Sequence, residues 1–125
     1  MKAELHNYRQ SPRKVRMVAN LIKGKTANEA LATLSYLPKR ASGPIKILIE
    51  SAVANAKNNN GIVSADSLEV KNIEVGSGFT MKRMMPGSRG RGFTIRKKTS
   101  RVYVTLAERT PKVKKLKSAK TKTAK

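Results

Sequence analysis

The sequence predicts an α+β domain: three helices packed on one face of a small three-stranded antiparallel sheet, with a long protruding β-hairpin and a basic C-terminal tail. Three observations carry this. Apolar residues recur at helical spacing between positions 11 and 60. Apolar and polar residues alternate at strand spacing in parts of the second half. Two long basic stretches without a single acid flank the last alternating segment. One globular domain over residues 1–110 is expected, with the hairpin at 76–99 and a Lys-rich tail at 111–125 that is disordered when free.

The first helix opens at Ser11, a candidate N-cap, with Pro12 at the first helical position. Val15, Val18, Ala19 and Ile22 form its apolar stripe, and Arg13, Arg16, Asn20 and Lys23 fall on the opposite side. Gly24 is its stop. Thr26 and Glu29 form a capping box for the second helix. Its stripe is Ala27, Ala30, Leu31 and Leu34, and Pro38 ends it. The third stripe is Ile45, Leu48, Ile49, Ala52, Val53 and Ala56, ended by Asn58-Asn59-Asn60-Gly61. Its start has two solutions: Pro44 sits in the first turn after Ser42, or it kinks a helix begun near Lys39.

Strands follow. Leu68 and Val70 alternate with polar residues, then Ile73 and Val75 continue on the other phase, which predicts a bulge near Asn72. Val102, Val104 and Leu106 alternate cleanly. Lys2 to Tyr8 is a third strand with weak alternation. Gly76 to Thr99 joins two strands, is too long for a tight turn and has little to bury. Twelve residues per arm at about 3.3 Å each reach roughly 40 Å.

The charge pattern names the partner class. The chain carries 28 Lys and Arg against 7 Asp and Glu, a net charge of +21 in 125 residues. Such self-repulsion opposes compaction unless a polyanion neutralises it, so nucleic acid is the expected partner and an anionic membrane the weaker one. No acid lies between Val75 and Ala107, and none follows Glu108. The hairpin stretch holds Lys82, Arg83, Arg89, Arg91, Arg96, Lys97, Lys98 and Arg101. At its tip, Pro86-Gly87-Ser88-Arg89-Gly90-Arg91-Gly92-Phe93, glycines let the backbone approach a ligand and arginines can fork onto phosphates. The bland reading is a flexible Gly/Arg loop. Met81, Met84 and Met85 either pack back on the sheet or adapt to an irregular surface. The Arg13, Arg16, Lys23 face is either solvated or in contact with phosphates. Tyr8, Tyr36, Tyr103, Phe79 and Phe93 are too scattered for the paired stacking aromatics of an RRM sheet.

Composition excludes much else. No Cys means no disulfide, thiol nucleophile or thiolate metal site. His6 is the one His, so no multi-histidine site is possible, and it reads as a surface residue. No phosphate-binding P-loop, zinc-protease helix or dinucleotide fingerprint occurs. No apolar run approaches the roughly 20 residues of a membrane span, and the N-terminus lacks the apolar region of a signal peptide. An enzyme, a cofactor and a metal are not expected.

Four motifs in order then resemble one family. Ser11-Pro12-Arg13-Lys14-Val15-Arg16 with Asn20-Leu21-Ile22-Lys23-Gly24-Lys25 is similar to the opening of the twenty-second protein of the bacterial large ribosomal subunit. Ser51-Ala52-Val53-Ala54-Asn55-Ala56 is similar to its third helix. Met81-Lys82-Arg83 with Pro86, Arg89-Gly90-Arg91, and Ile95-Arg96-Lys97-Lys98-Thr99-Ser100 resemble its hairpin. The resemblance spans roughly residues 5–109. It implies a structural constituent of the large subunit, cytoplasmic in the ribosome, that binds ribosomal RNA, bridges several RNA domains during assembly and lines the nascent-peptide exit tunnel with its hairpin tip. It implies RNA contacts from Arg9, Arg13, Lys14, Arg16, Lys23, Lys25, Lys82, Arg83, Arg89, Arg91, Arg96, Lys97, Lys98 and Arg101. It places Met81, Lys82, Arg83, Gly87, Ser88, Arg89, Gly90, Arg91 and Gly92 at the tunnel wall, and implies that changes in the region of Met81-Lys82-Arg83 affect macrolide sensitivity. The partners implied are large-subunit ribosomal RNA, neighbouring large-subunit proteins and the nascent polypeptide, with no membrane and no second copy of the chain. The chain departs from the family at Gly87, where a basic residue is common, and at Phe93-Thr94, which replaces a commonly charged pair. Ser88 and Gly92 stand where Ala is usual, and Arg101 replaces a common His. The alternative class is a nonspecific nucleic-acid-binding or RNA-chaperone protein, motivated by charge and tail alone.

Overall fold

The computed structural model describes residues 1–60 and 67–109. Gly61 of the third helix's stop signal and the Lys-rich tail lie outside them. The elements are β1 (Lys2–Tyr8), α1 (Pro12–Ile22), α2 (Ala27–Tyr36), α3 (Ser42–Asn60), β2 (Leu68–Pro86) and β3 (Gly92–Glu108). The sheet is antiparallel in the order β1-β3-β2. Its helix-facing side and the three apolar helix stripes form one core, in which Ile22, Ile45, Ile49, Leu68, Val102 and Leu106 are almost fully buried.

Helix boundaries follow local chemistry. Ser11 takes the N-cap position, but its side chain makes no capping bond. Its carbonyl instead accepts from the Lys14 and Val15 amides. Gly24 lies at φ +78°, a conformation costly for a residue with a Cβ, and turns the chain after α1. The Gly24 amide donates to the Val70 carbonyl and the Val70 amide to the Lys25 carbonyl, which laces this turn onto β2. The capping box is complete: the Glu29 amide donates to Thr26 Oγ1 at 3.3 Å, and the Thr26 amide to Glu29 Oε2 at 3.2 Å. Pro38 follows the α2 terminus by two residues. α3 starts at Ser42 with Pro44 in its first turn, which settles the open alternative. Ser42 Oγ lies 2.6 Å and 3.0 Å from the Lys39 and Leu37 carbonyl oxygens and braces that start.

Each strand irregularity has a cause. β2 slips in register between Val70 and Asn72, so Lys71 is the extra residue and both Val70 and Ile73 reach the core. β1 slips between Leu5 and Tyr8, where Asn7 sits at φ 53°. That bulge breaks the two-residue phase, and the alternation along β1 is weak for this reason. β2 and β3 stay paired beyond the core, out to Pro86 opposite Gly92. Cα partners from Ser77 to Pro86 span about 30 Å of ribbon. The turn occupies residues 87–91, so the arms are shorter than twelve residues each.

Candidate nucleic-acid interface

Three chain-distant segments meet at the base of the hairpin. Arg9 and Gln10 follow β1, with Ser11 and Lys14 at the start of α1. Arg40 stands in the turn before α3, and Met81 with Arg96 to Thr99 come from the hairpin arms. Together they line a cleft of about 740 Å³. Among the described residues, none of its Lys or Arg side chains has an ion-pair partner. Gln10 Oε1 is buried in this region with no hydrogen-bond partner. Leaving such an acceptor unsatisfied costs about 1–3 kcal/mol.

Arg40 is the cleft cation that sequence reading missed, and Gln10, Ser11 and Thr99 line the cleft without having been assigned to it. The signal for Arg40 was the Lys39-Arg40 pair after Pro38. The fold brings it to the cleft because the Tyr8 hydroxyl donates to the Arg40 carbonyl at 3.2 Å. Of the residues assigned to RNA, Arg9, Lys14, Arg96, Lys97 and Lys98 converge here. Arg13 and Lys23 are exposed on the outer face of α1, and Arg101 is exposed on β3 opposite Gly76.

Two assigned cations have partners within the fold. Arg16 donates through Nε and Nη2 to the Val75 carbonyl, at 3.1 Å and 3.0 Å. It clamps α1 to β2 where the hairpin leaves the core. Lys25 Nζ lies 3.1 Å from Thr33 Oγ1 and is half-buried, so it braces α2. A charged residue's sequence does not reveal whether its partner lies inside the chain.

The hairpin base is a built joint. β2 slips again between Ser77 and Thr80, and the Thr99 hydroxyl donates to the Phe79 carbonyl at 2.6 Å across the slip. A Cβ at Gly78 would collide with the Thr99 side chain and press on its backbone carbonyl at 3.2–3.3 Å. A Cβ at Gly76, two residues away, meets nothing within 4 Å. Gly78→Ala is therefore expected to lose about 1–3 kcal/mol, while Gly76→Ala stays within about 0.5 kcal/mol. Thermal melts of the two variants check this; equal melting temperatures would refute the joint.

At the far end, the Gly87 amide donates to the Arg91 carbonyl at 2.6 Å and the Arg91 amide to the Ser88 carbonyl at 3.3 Å. Arg89 and Gly90 both adopt positive φ, at 55° and 73°. Lys82, Arg83, Ser88, Arg89, Gly90, Arg91 and Gly92 are exposed and Gly87 is half-buried. Met81 is half-buried beside the cleft, whereas Met84 and Met85 are exposed, so neither of the latter packs back on the core. His6 is a surface residue, with Nε2 at 3.1 Å from Glu4 Oε2 and its ring edge-on to Tyr103. Among the described residues, no group of three or more His, Asp or Glu could hold a metal.

This arrangement of a compact core and a cationic ribbon has close relatives. The family described as ribosomal protein L22p/L17e matches residues 3–107. The chain belongs to this family. The L22p/L17e match runs from β1 through the hairpin to the end of β3. The large ribosomal subunit protein uL22 of Bdellovibrio bacteriovorus is 47% identical over 109 residues, which cover 87% of this chain and 98% of that protein. L22p/L17e proteins are structural ribosomal proteins, and the chain is not an enzyme. Its motifs at residues 11–25, 51–56 and 81–100 all fall inside the matched span.

Proposed function

We propose that the protein is built into the large ribosomal subunit by binding ribosomal RNA, and that its hairpin tip lines the peptide exit tunnel. The observation that carries this is the acid-free hairpin: from Val75 to Ala107 every charge is positive, and among the described residues no cation of the ribbon has an ion-pair partner. A two-stranded ribbon alone is marginal in water, so an enclosing polyanion supplies what the core does not. The cleft at its base grips one RNA segment, the α1 face with Arg13 and Lys23 touches another, and the tip reaches a third. The protein thus acts as a strut between RNA segments distant in sequence. Met81, Lys82, Arg83 and the glycine-arginine turn at 87–92 stand at the tunnel wall beside the nascent polypeptide. Neighbouring large-subunit proteins complete the surroundings, and the Lys-rich tail at 111–125 adds electrostatic affinity.

The test is sucrose-gradient separation of subunits in high salt, with the protein quantified per particle. One copy per large subunit after the salt wash is expected. Release to the top of the gradient would indicate a nonspecific polyanion-coating protein instead.

A further inference from the structure

The two faces of the hairpin are chemically different, and the pairing register sorts them. Residues directly opposite in a β-pair share a face. Lys82 stands opposite Arg96 and Thr80 opposite Lys98, with exposed Met84 opposite Thr94 nearer the tip, giving one mainly cationic face. The other face carries Met81 opposite Lys97, Arg83 opposite Ile95, and Met85 opposite Phe93. Toward the tip this second face is apolar and open: Phe93 is 60% exposed, Met85 53% and Ile95 40%.

Phe93 is also held in place. A Cβ at Gly87 would collide with the Phe93 ring, so the ring lies against bare backbone at the mouth of the turn. The missing side chain at Gly87 leaves room for Phe93. Arg83 shares the face, and exposed Arg91 is two residues from Phe93. No carboxylate lies anywhere along this ribbon. A fixed, exposed aromatic ring among cations fits a flat ligand that brings its own negative charge. An unpaired nucleobase with its phosphate has this chemistry, whereas a passing polypeptide segment carries no anion at a fixed distance.

We propose that Phe93, with Met85 and Ile95 beside it, is a stacking platform for one unpaired nucleobase of RNA just below the hairpin tip. The inference rests on the ribosomal-RNA-binding reading and adds to it a specific contact. The arginines at the tip contribute affinity to any phosphate; the ring selects an unstacked base.

The experiment compares the full-length protein with Phe93→Ala, Phe93→Leu and Phe93→Trp, using protein-free large-subunit ribosomal RNA at fixed salt. Affinity and base-specific methylation of the RNA are read together. Phe93→Ala is expected to lose roughly 5- to 150-fold in affinity, the range that truncating a stacking aromatic gives. Phe93→Leu, apolar but not planar, should lose most of the same affinity, and Phe93→Trp should retain it. One nucleotide protected by the wild-type protein should become reactive with Phe93→Ala. The salt slope should not change, because no charge is removed. Unchanged affinity and protection in Phe93→Ala would overturn the platform while leaving the RNA-binding reading intact. Phe93→Leu binding as well as wild type would also overturn it, since generic apolar contact would then suffice. If the wild-type protein showed no preference for this RNA over duplex DNA, the underlying reading would fail first. A photo-crosslinker at position 93 should label RNA; label on polypeptide would refute the choice of ligand.

Discussion

Replacing Arg40, Lys97 and Lys98 together with glutamine is expected to weaken binding to large-subunit ribosomal RNA by about 10²- to 10³-fold. All three line the cleft at the hairpin base, and none has an ion-pair partner among the described residues. Each neutralised phosphate adds about 0.7–0.9 to the slope of log affinity against log salt. The triple variant should therefore flatten that slope by about 2–3. Its stability should hold or rise slightly, because removing like charges relieves self-repulsion. Loss of affinity without loss of melting temperature separates an interface from a structural role. Titrations at four or five salt concentrations, paired with a thermal melt, provide both readouts. An unchanged slope would show that the cleft does not meet phosphate, whatever its charge.

Ile49→Ala is expected to destabilise the fold by about 2–5 kcal/mol. Ile49 is fully buried at the middle of α3, inside the shared core of helices and sheet. Domains of this size hold only about 5–15 kcal/mol in total, and uncompensated charge places this one toward the low end. The variant should melt near or below room temperature in low salt. Added sulfate should recover part of the loss, since anions that bind the folded cationic surface stabilise it by mass action. Ile47→Ala is the control: Ile47 is two-thirds exposed on the same helix and should change stability by no more than about 0.5 kcal/mol. Circular dichroism melts with and without sulfate check both. Similar losses at the two positions would mean that the α3 stripe is not what the core rests on.

Much of the fold was legible because helical and strand periodicities are local. The three apolar helix stripes, the Thr26–Glu29 capping box and the slip at Asn72 each follow from residues within a few positions of one another. The weak strand at residues 2–8 was legible only as a suspicion, since its bulge at Asn7 interrupts the phase a reader counts on. Ser11 marked the right boundary for the wrong reason: Pro12 and the Ser11 carbonyl, not its hydroxyl, shape the start of α1.

The candidate interface divides along the same line. The expectation of an interface followed from charge arithmetic, because +21 with an acid-free span of this length opposes compaction unless an anion neutralises it. Its membership did not. Arg40 joins Arg9, Lys14 and Lys97 only because β1, the turn before α3 and the hairpin arm are neighbours in space. Arg16 and Lys25 looked free, yet their donors meet a β2 carbonyl and an α2 hydroxyl supplied by other elements.

From its amino acids alone, then, the chain declares the helices, the strands, the class of partner to expect and the family, since these depend on composition and near neighbours. Which cations share a cleft, which serve the fold, and which residues share a hairpin face depend on strand register and chain topology. Those are set by long-range packing: a single extra residue in β2, at the slip between Ser77 and Thr80, shifts which side chains of the two arms stand opposite each other.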